Sequence, residues 1–139
     1  MTRKQLYSRM TQWLDADDPC PERDGYAMPA EWEPHARTWM CWPCRTAAWN
    51  GPDGLLRAKQ AYARVARAIS TFEPVTMVAR PQDVAEAKLA CAVKVDTLGL
   101  VIDDSWARDS GPTFVRASDG ARAAVQWEFN AWGNKYHPF

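Results

Sequence analysis

The stretch 75–102, "VTMVARPQDVAEAKLACAVKVDTLGLVI", decides the fold. "VTMVA" at 75–79 is short, apolar and partly β-branched, which reads as a strand. Pro81 then stands where a helix begins, a position at which its missing N–H costs nothing, and "PQDVAEAKLACA" runs as a helix to about residue 92. "KVDTLGLVI" at 94–102 returns to strand. Strand, helix and strand in so short a span predict an α/β fold.

Upstream, Leu55, Ala58, Tyr62, Val65, Ile69 and Phe72 recur at three- and four-residue steps, with Arg57, Lys59, Arg64 and Arg67 mostly between them. That spacing predicts an amphipathic helix over about 54–71. "RTWMCW" at 37–42 predicts a short buried strand stopped by Pro43. Leu6, Met10, Trp13 and Leu14 predict a short helix within 3–15, followed by a Pro-, Asp- and Gly-rich loop. Downstream, "TFVRA" at 113–117 and "RAAVQWEF" at 122–129 flank "SDGA", whose Asp-Gly pair predicts a hairpin. The alternation of helix and strand therefore passes into a hairpin.

At 139 residues the chain is expected to form one domain with a real core. Lys plus Arg and Asp plus Glu number 17 each, so no polyanion such as nucleic acid is an evident partner. No apolar run approaches the roughly 20 residues of a membrane-spanning helix, and the N-terminus has no apolar signal core. No membrane partner and a cytoplasmic location are expected. The eight tryptophans are the unusual count: besides Trp13, four stand at 32, 39, 42 and 49 and three more at 106, 127 and 132.

Cys41 and Cys44 share C-x-x-C spacing, but the pair closes an apolar run instead of opening a helix. No second pair completes a zinc set, so no metal is expected. Free thiols at Cys41 and Cys44 are the plainer reading, and Cys20 and Cys91 carry no partner signal.

"DDSWARDSGP" at 103–112 follows the last predicted strand before the hairpin, where α/β architectures place ligands. Three carboxylates (Asp103, Asp104 and Asp109), Arg108 and Trp106 crowd a stretch ended by a Gly-Pro turn. Trp106-x-x-Asp109 spacing can set an aromatic face and a carboxylate on one side of a tight turn. A guanidinium ion suits that pair: its N–H fork matches a carboxylate and its flat face stacks on a ring. A salt-bridged loop, with Arg108 on Asp103 or Asp104 and Trp106 in the core, explains the same residues. Spacing alone leaves both readings open.

Three segments carry a resemblance. "MPAEWEPHARTWMCWP" at 28–43, "DDSWARDSGPTFV" at 103–115 and "FNAWGNKY" at 129–136 resemble, in order and spacing, the opening of the agmatine deiminase and bacterial-type peptidylarginine deiminase family. The likeness starts near Gly25, which leaves 1–24 as a variable N-terminal extension and 25–139 as the N-terminal part of a truncated deiminase domain. It implies a partial pentein, an α/β propeller of which this sequence would hold about the first two ββαβ-like blades of five. It also implies a hydrolase that uses no cofactor and acts on agmatine or peptidyl-arginine through a cysteine nucleophile and a histidine acid/base. A homo-oligomeric complete enzyme is compatible with it.

By the same resemblance, Asp109 is a substrate carboxylate and Trp106 its stacking partner. Asp103 and Asp104 are the acidic pair before them, orienting the loop or touching substrate. Arg108 is expected to brace the loop, and Asn130, Trp132, Gly133 and Lys135 to form a structural loop near the pocket. The family's H-x-D histidine and Gly-rich cysteine segment are expected beyond Phe139; neither His35 nor His137 stands in such a motif. Three readings stay open: a truncated or split deiminase inactive alone, a non-catalytic guanidinium- or cation-binding module, and a redox protein using Cys41 and Cys44.

Overall fold

The structure is a computed structural model describing residues 20–92 and 94–135. The helix expected within 3–15 and His137 lie outside the described residues. In chain order the elements are β1 (Tyr26–Ala27), β2 (Thr38–Cys41), a 3-10 turn (Thr46–Trp49), α1 (Pro52–Ile69) and β3 (Val75–Ala79). A second 3-10 turn (Pro81–Asp83), α2 (Val84–Cys91), β4 (Val95–Gly99), the one-turn α3 (Ala107–Ser110), β5 (Thr113–Ala117) and β6 (Arg122–Val125) follow. A last helical turn spans Ala131–Asn134.

The described residues form two compact units. One holds those up to Pro29 together with Thr113–Val125. Its sheet is antiparallel, in the order β1-β5-β6. The "SDGA" hairpin is present as expected: Gly120 takes a φ of 88°, and the Asp119 carboxylate accepts from the Ala121 N–H at 2.9 Å. The two-residue β1 has no periodicity of its own and was not predictable from pattern.

The other unit holds Ala30–Pro112 and the described residues from Gln126 onward. Its sheet is parallel, in the order β2-β3-β4, with α1 and α2 as the crossovers that parallel pairing requires. β3 is central and buried at all five positions, which is why its sequence is apolar but for Thr76, whose buried hydroxyl accepts from the Arg37 guanidinium. Val75, Met77 and Ala79 of β3 pack with Trp42, Ala63, Ala66, Ala87, Cys91 and Val95 in one core.

Two predicted strands end early, each for want of a partner. The strand expected over 94–102 stops at Gly99, which pairs with Ala79; beyond Ala79 the neighbouring chain turns at Pro81. The strand expected over 122–129 stops at Val125, which pairs with Thr113, and Pro112 before it has no N–H to extend the ladder. The strand expected to be buried at 37–42 is β2, an edge strand whose Trp39 stays 45% exposed. α1 starts at Pro52, two residues before its predicted start. Its buried stripe centres on Ala63 and Ala66, small enough to let the helix approach closely, so Val65 falls at the stripe's margin and Phe72 lies past the helix end. The helix expected from Pro81 begins as a 3-10 turn before α2.

Glu73, just before β3, ties the connection to β2. Its carboxylate accepts from the Thr38 hydroxyl, and His35 Nδ1 lies 3.1 Å from Oε2. The Thr38 bond, aided by His35, holds this carboxyl below its ordinary value of 4.5, against an opposing contribution from burial. A depressed folded value stabilises the fold fully above the unfolded value and loses that contribution as pH falls through the folded one. In chemical denaturation at stepped pH, stability is therefore expected to fall more steeply below about pH 4.5 in the wild type than in Glu73→Gln; parallel curves would refute this. Met77 is wholly buried on the central strand, so Met77→Ala is expected to lower unfolding free energy by about 2–5 kcal/mol in the same assay.

Candidate functional site

Parallel pairing sends the chain off the same edge of the sheet three times, after Cys41, Ala79 and Gly99. Cys44, Arg80 and Asp103 leave those three strand ends and, with Arg45, line a cavity of about 240 Å3. Arg80 is already committed, its Nε 2.7 Å from Asp83 Oδ2. Two guanidinium groups on the lining make this cavity a poor host for a cation. Asp103 thus faces arginine side chains of the chain itself.

The following loop is built from its own hydrogen bonds. Asp104 Oδ1 accepts from the Ser105 N–H at 2.8 Å, and Ser105 is buried. Asp104 therefore orders the loop backbone. Trp106 precedes α3, whose closing bonds run from the Asp109 and Ser110 N–H groups to the Trp106 carbonyl, each 3.2 Å. The Gly111 N–H donates to the Ala107 carbonyl at 2.9 Å. A Cβ on Gly111 would stand 2.5 Å from that carbonyl oxygen, so the turn closes only on glycine.

Neither feature of the salt-bridged alternative is present. Arg108 pairs with Glu31 at 2.9 Å, not with Asp103 or Asp104. Trp106 is 43% exposed and stacks on Trp49, with centroids 6.0 Å apart and planes 20° apart. Trp49 packs in turn against the edge of Tyr62 at 6.1 Å. A Cβ on Gly54, at the start of α1, would lie 1.6 Å from the Trp49 carbonyl oxygen. That glycine is what allows the 3-10 turn carrying Trp49 to close against the helix, and so to support Trp106 from behind.

Asp109 receives a donor from far along the sequence: Trp132 Nε1–H donates to its Oδ1 at 3.1 Å. Trp132 sits in the last helical turn, whose hand is inverted. Ala131, Trp132, Gly133 and Asn134 have φ values of 52°, 52°, 78° and 65°. Left-handed backbone costs about 1–2 kcal/mol for each non-glycine residue, and such strain gathers where a side chain has to be held for a purpose. The turn is closed by Asn134 N–H to Asn130 O at 2.8 Å, by Lys135 N–H to Ala131 O at 3.0 Å and by Gly133 N–H to Asn130 Oδ1 at 3.0 Å. The Phe129 ring meets the Trp132 ring edge-on at 5.0 Å. The residues 130–135 therefore do more than pass near the loop: one of them bonds Asp109. Spacing could not reveal this, because nothing local links 132 to 109.

The four cysteines are free. Burial pushes the Cys41 thiol up, and Cys44 adds to the rise. Burial likewise raises Cys44, outweighing Arg80, and raises Cys91. A thiol is nucleophilic as its thiolate, so the C-x-x-C pair lacks the activation that redox exchange needs. Among the described residues no group of three or more His, Cys, Asp or Glu could hold a metal ion, and no helix is long and apolar enough to cross a membrane.

Known proteins share this sequence and fold. The sequence profile of the Porphyromonas-type peptidyl-arginine deiminase family matches residues 27–139. A Streptomyces avermitilis protein named as an inferred agmatine deiminase is 50% identical over 113 residues, covering 81% of this chain and 33% of the relative. The agmatine deiminase of Stutzerimonas stutzeri is 46% identical over 116 residues, covering 83% of this chain and 31% of the relative. The solved structure of Enterococcus faecalis agmatine deiminase superposes with a TM-score of 0.81 at 35% identity, over 88% of this chain and 34% of that one. This chain spans about a third of the length of the relatives it matches. With an α/β fold shared at that level and a profile match from Ala27 onward, the chain belongs to the Porphyromonas-type peptidyl-arginine deiminase family.

Proposed function

We propose that this chain is the N-terminal part of an agmatine deiminase-like hydrolase and supplies one wall of its substrate site. Asp109 would hold the guanidinium and Trp106 would stack on it. The observation that carries this reading is the pairing at α3: Arg108 is engaged by Glu31, while Asp109 is bonded by a neutral indole and is left open to a cation. An exposed tryptophan braced from behind by Trp49 flanks it. The segment would then supply about two of five propeller blades. The relatives named for agmatine favour that substrate; the family's name makes peptidyl-arginine the second reading.

The chemistry follows from the substrate. A guanidinium carbon bonded to three nitrogens is a poor electrophile, and a carboxylate that holds it in its charged form keeps it attackable. A cysteine thiolate adds to that carbon and ammonia leaves, forming a thiouronium-type intermediate; water then displaces the sulfur and leaves a ureido group. A histidine moves the protons. For agmatine the sum is agmatine plus water giving N-carbamoylputrescine plus ammonia, a reaction on a route to putrescine and suited to the cytoplasm. No cofactor takes part. By the resemblance, the thiolate and the histidine are assigned to the part of the relatives' length that this chain does not span; the burial that raises Cys41, Cys44 and Cys91 agrees with inert thiols at those positions. Asp104 is assigned to loop order and Asp103 to the cavity beside it.

In a full-length enzyme carrying this segment, Asp109→Asn is expected to cost about 2–5 kcal/mol of transition-state binding, roughly thirtyfold to several-thousandfold in kcat/KM. Ammonia release from agmatine and from an arginyl peptide measures both the loss and the substrate preference. Unchanged kcat/KM on both would sink the role of Asp109. The 139-residue chain alone is expected to release no ammonia from agmatine.

A further inference from the structure

We infer that Trp132 is a positioning residue for the substrate carboxylate: its indole N–H fixes the plane of Asp109 so that the free lone pairs face a guanidinium fork. The inference rests on the reading of Asp109 given above.

A carboxylate on a single turn of exposed helix swings about its own bond, and a bidentate contact needs both oxygens in one plane with the ligand. One bond to Oδ1 removes that freedom while leaving Oδ2, and the second lone pair of Oδ1, open. The indole N–H of Trp132 makes that bond at 3.1 Å, across 23 residues of sequence. Its chemistry suits the task. An indole is a donor only and carries no charge, so it orients Asp109 without neutralising it or repelling a cation. A lysine or arginine in its place would do both.

The scaffold around Trp132 is built to aim it. Four consecutive positive-φ residues turn the backbone left-handed, a conformation that sets the side chain's direction differently from any ordinary turn. Ala131, fully buried, anchors the turn, the Asn130 side chain caps it, and the Phe129 ring meets the indole perpendicularly. The turn is thus held at its backbone and the indole by one ring, while the indole itself stays 37% exposed. The strain is maintained at the position whose indole N–H meets the Asp109 carboxylate.

The test is a double-mutant cycle in a full-length enzyme carrying this segment, with agmatine as substrate. Trp132→Phe keeps an aromatic ring and deletes the donor. It is expected to lower kcat/KM roughly tenfold, more through KM than kcat. In an Asp109→Glu background, where the longer side chain carries the carboxylate past the indole, the same substitution is expected to cost nothing further. Wild-type kinetics in Trp132→Phe, or an equal loss in both backgrounds, overturns the positioning role. Asp109→Asn assayed alongside separates the two ideas: an impaired Asp109→Asn with an unimpaired Trp132→Phe refutes only this inference, while an unimpaired Asp109→Asn refutes the site itself. Should Trp132→Phe fail to fold, 15N-tryptophan labelling gives the answer directly. The Trp132 indole resonance is expected to shift between wild type and Asp109→Asn, and an unmoved resonance overturns the proposal.

Discussion

The parallel pairing of β3 with both its neighbours is the constraint on which the second unit depends. A strand buried on both faces can satisfy its backbone only through flanking strands, and β2 and β4 supply those bonds in register from Val75 to Ala79. Because all three strands run the same way, their C-terminal ends share an edge. The segments that leave it carry Cys44, Arg80 and the loop of 103–112. The candidate site is thus a consequence of strand direction: had one neighbour run antiparallel, its loop would have left from the other edge.

The tryptophans divide along the same logic. Trp42 is almost wholly buried and belongs to the core. Trp49 supports, Trp106 presents a face, and Trp132 donates. An aromatic ring with a polar handle can serve each of these roles. On the proposed reading, the count that stood out in composition would reflect a site built from rings where others use charges. Lysine or arginine in those places would compete with the proposed cationic substrate for the same carboxylate.

Much of the architecture was legible because it is local. Alternation of period separates β3, α2 and β4, proline marks the start of the turn before α2, and Asp119-Gly120 marks the hairpin. What could not be read was set by partners. β4 and β6 end where β3 and β5 stop offering N–H groups, and β2 is half-exposed because it lies at an edge. At the site, Asp109 and Trp106 were legible as a spaced pair, but their supports were not. Trp49, Glu31 and Trp132 reach the loop across the fold, and no pattern within ten residues of Asp109 points to any of them. The tight closure at Gly111 was legible, since Gly-Pro after a polar turn signals crowding; the similar demand at Gly54 was hidden inside a helix pattern.

Magnitudes rank what remains. The Arg108–Glu31 pair has both side chains largely exposed, and such pairs are worth about 0–1 kcal/mol; its consequence is to occupy a cation, not to hold the loop. A cation–π face contributes about 0.5–2 kcal/mol, whereas losing a carboxylate partner of a desolvated cation costs about 2–5 kcal/mol. On the proposed reading Asp109 would dominate the site, and its orientation would govern affinity more than the quality of the Trp106 stack. On that reading, the ordering would account for a strained, left-handed turn beside it. Backbone strain of a few kcal/mol is tolerable when it preserves the geometry of the carboxylate–guanidinium contact, and would not be tolerable if it served only the ring stack.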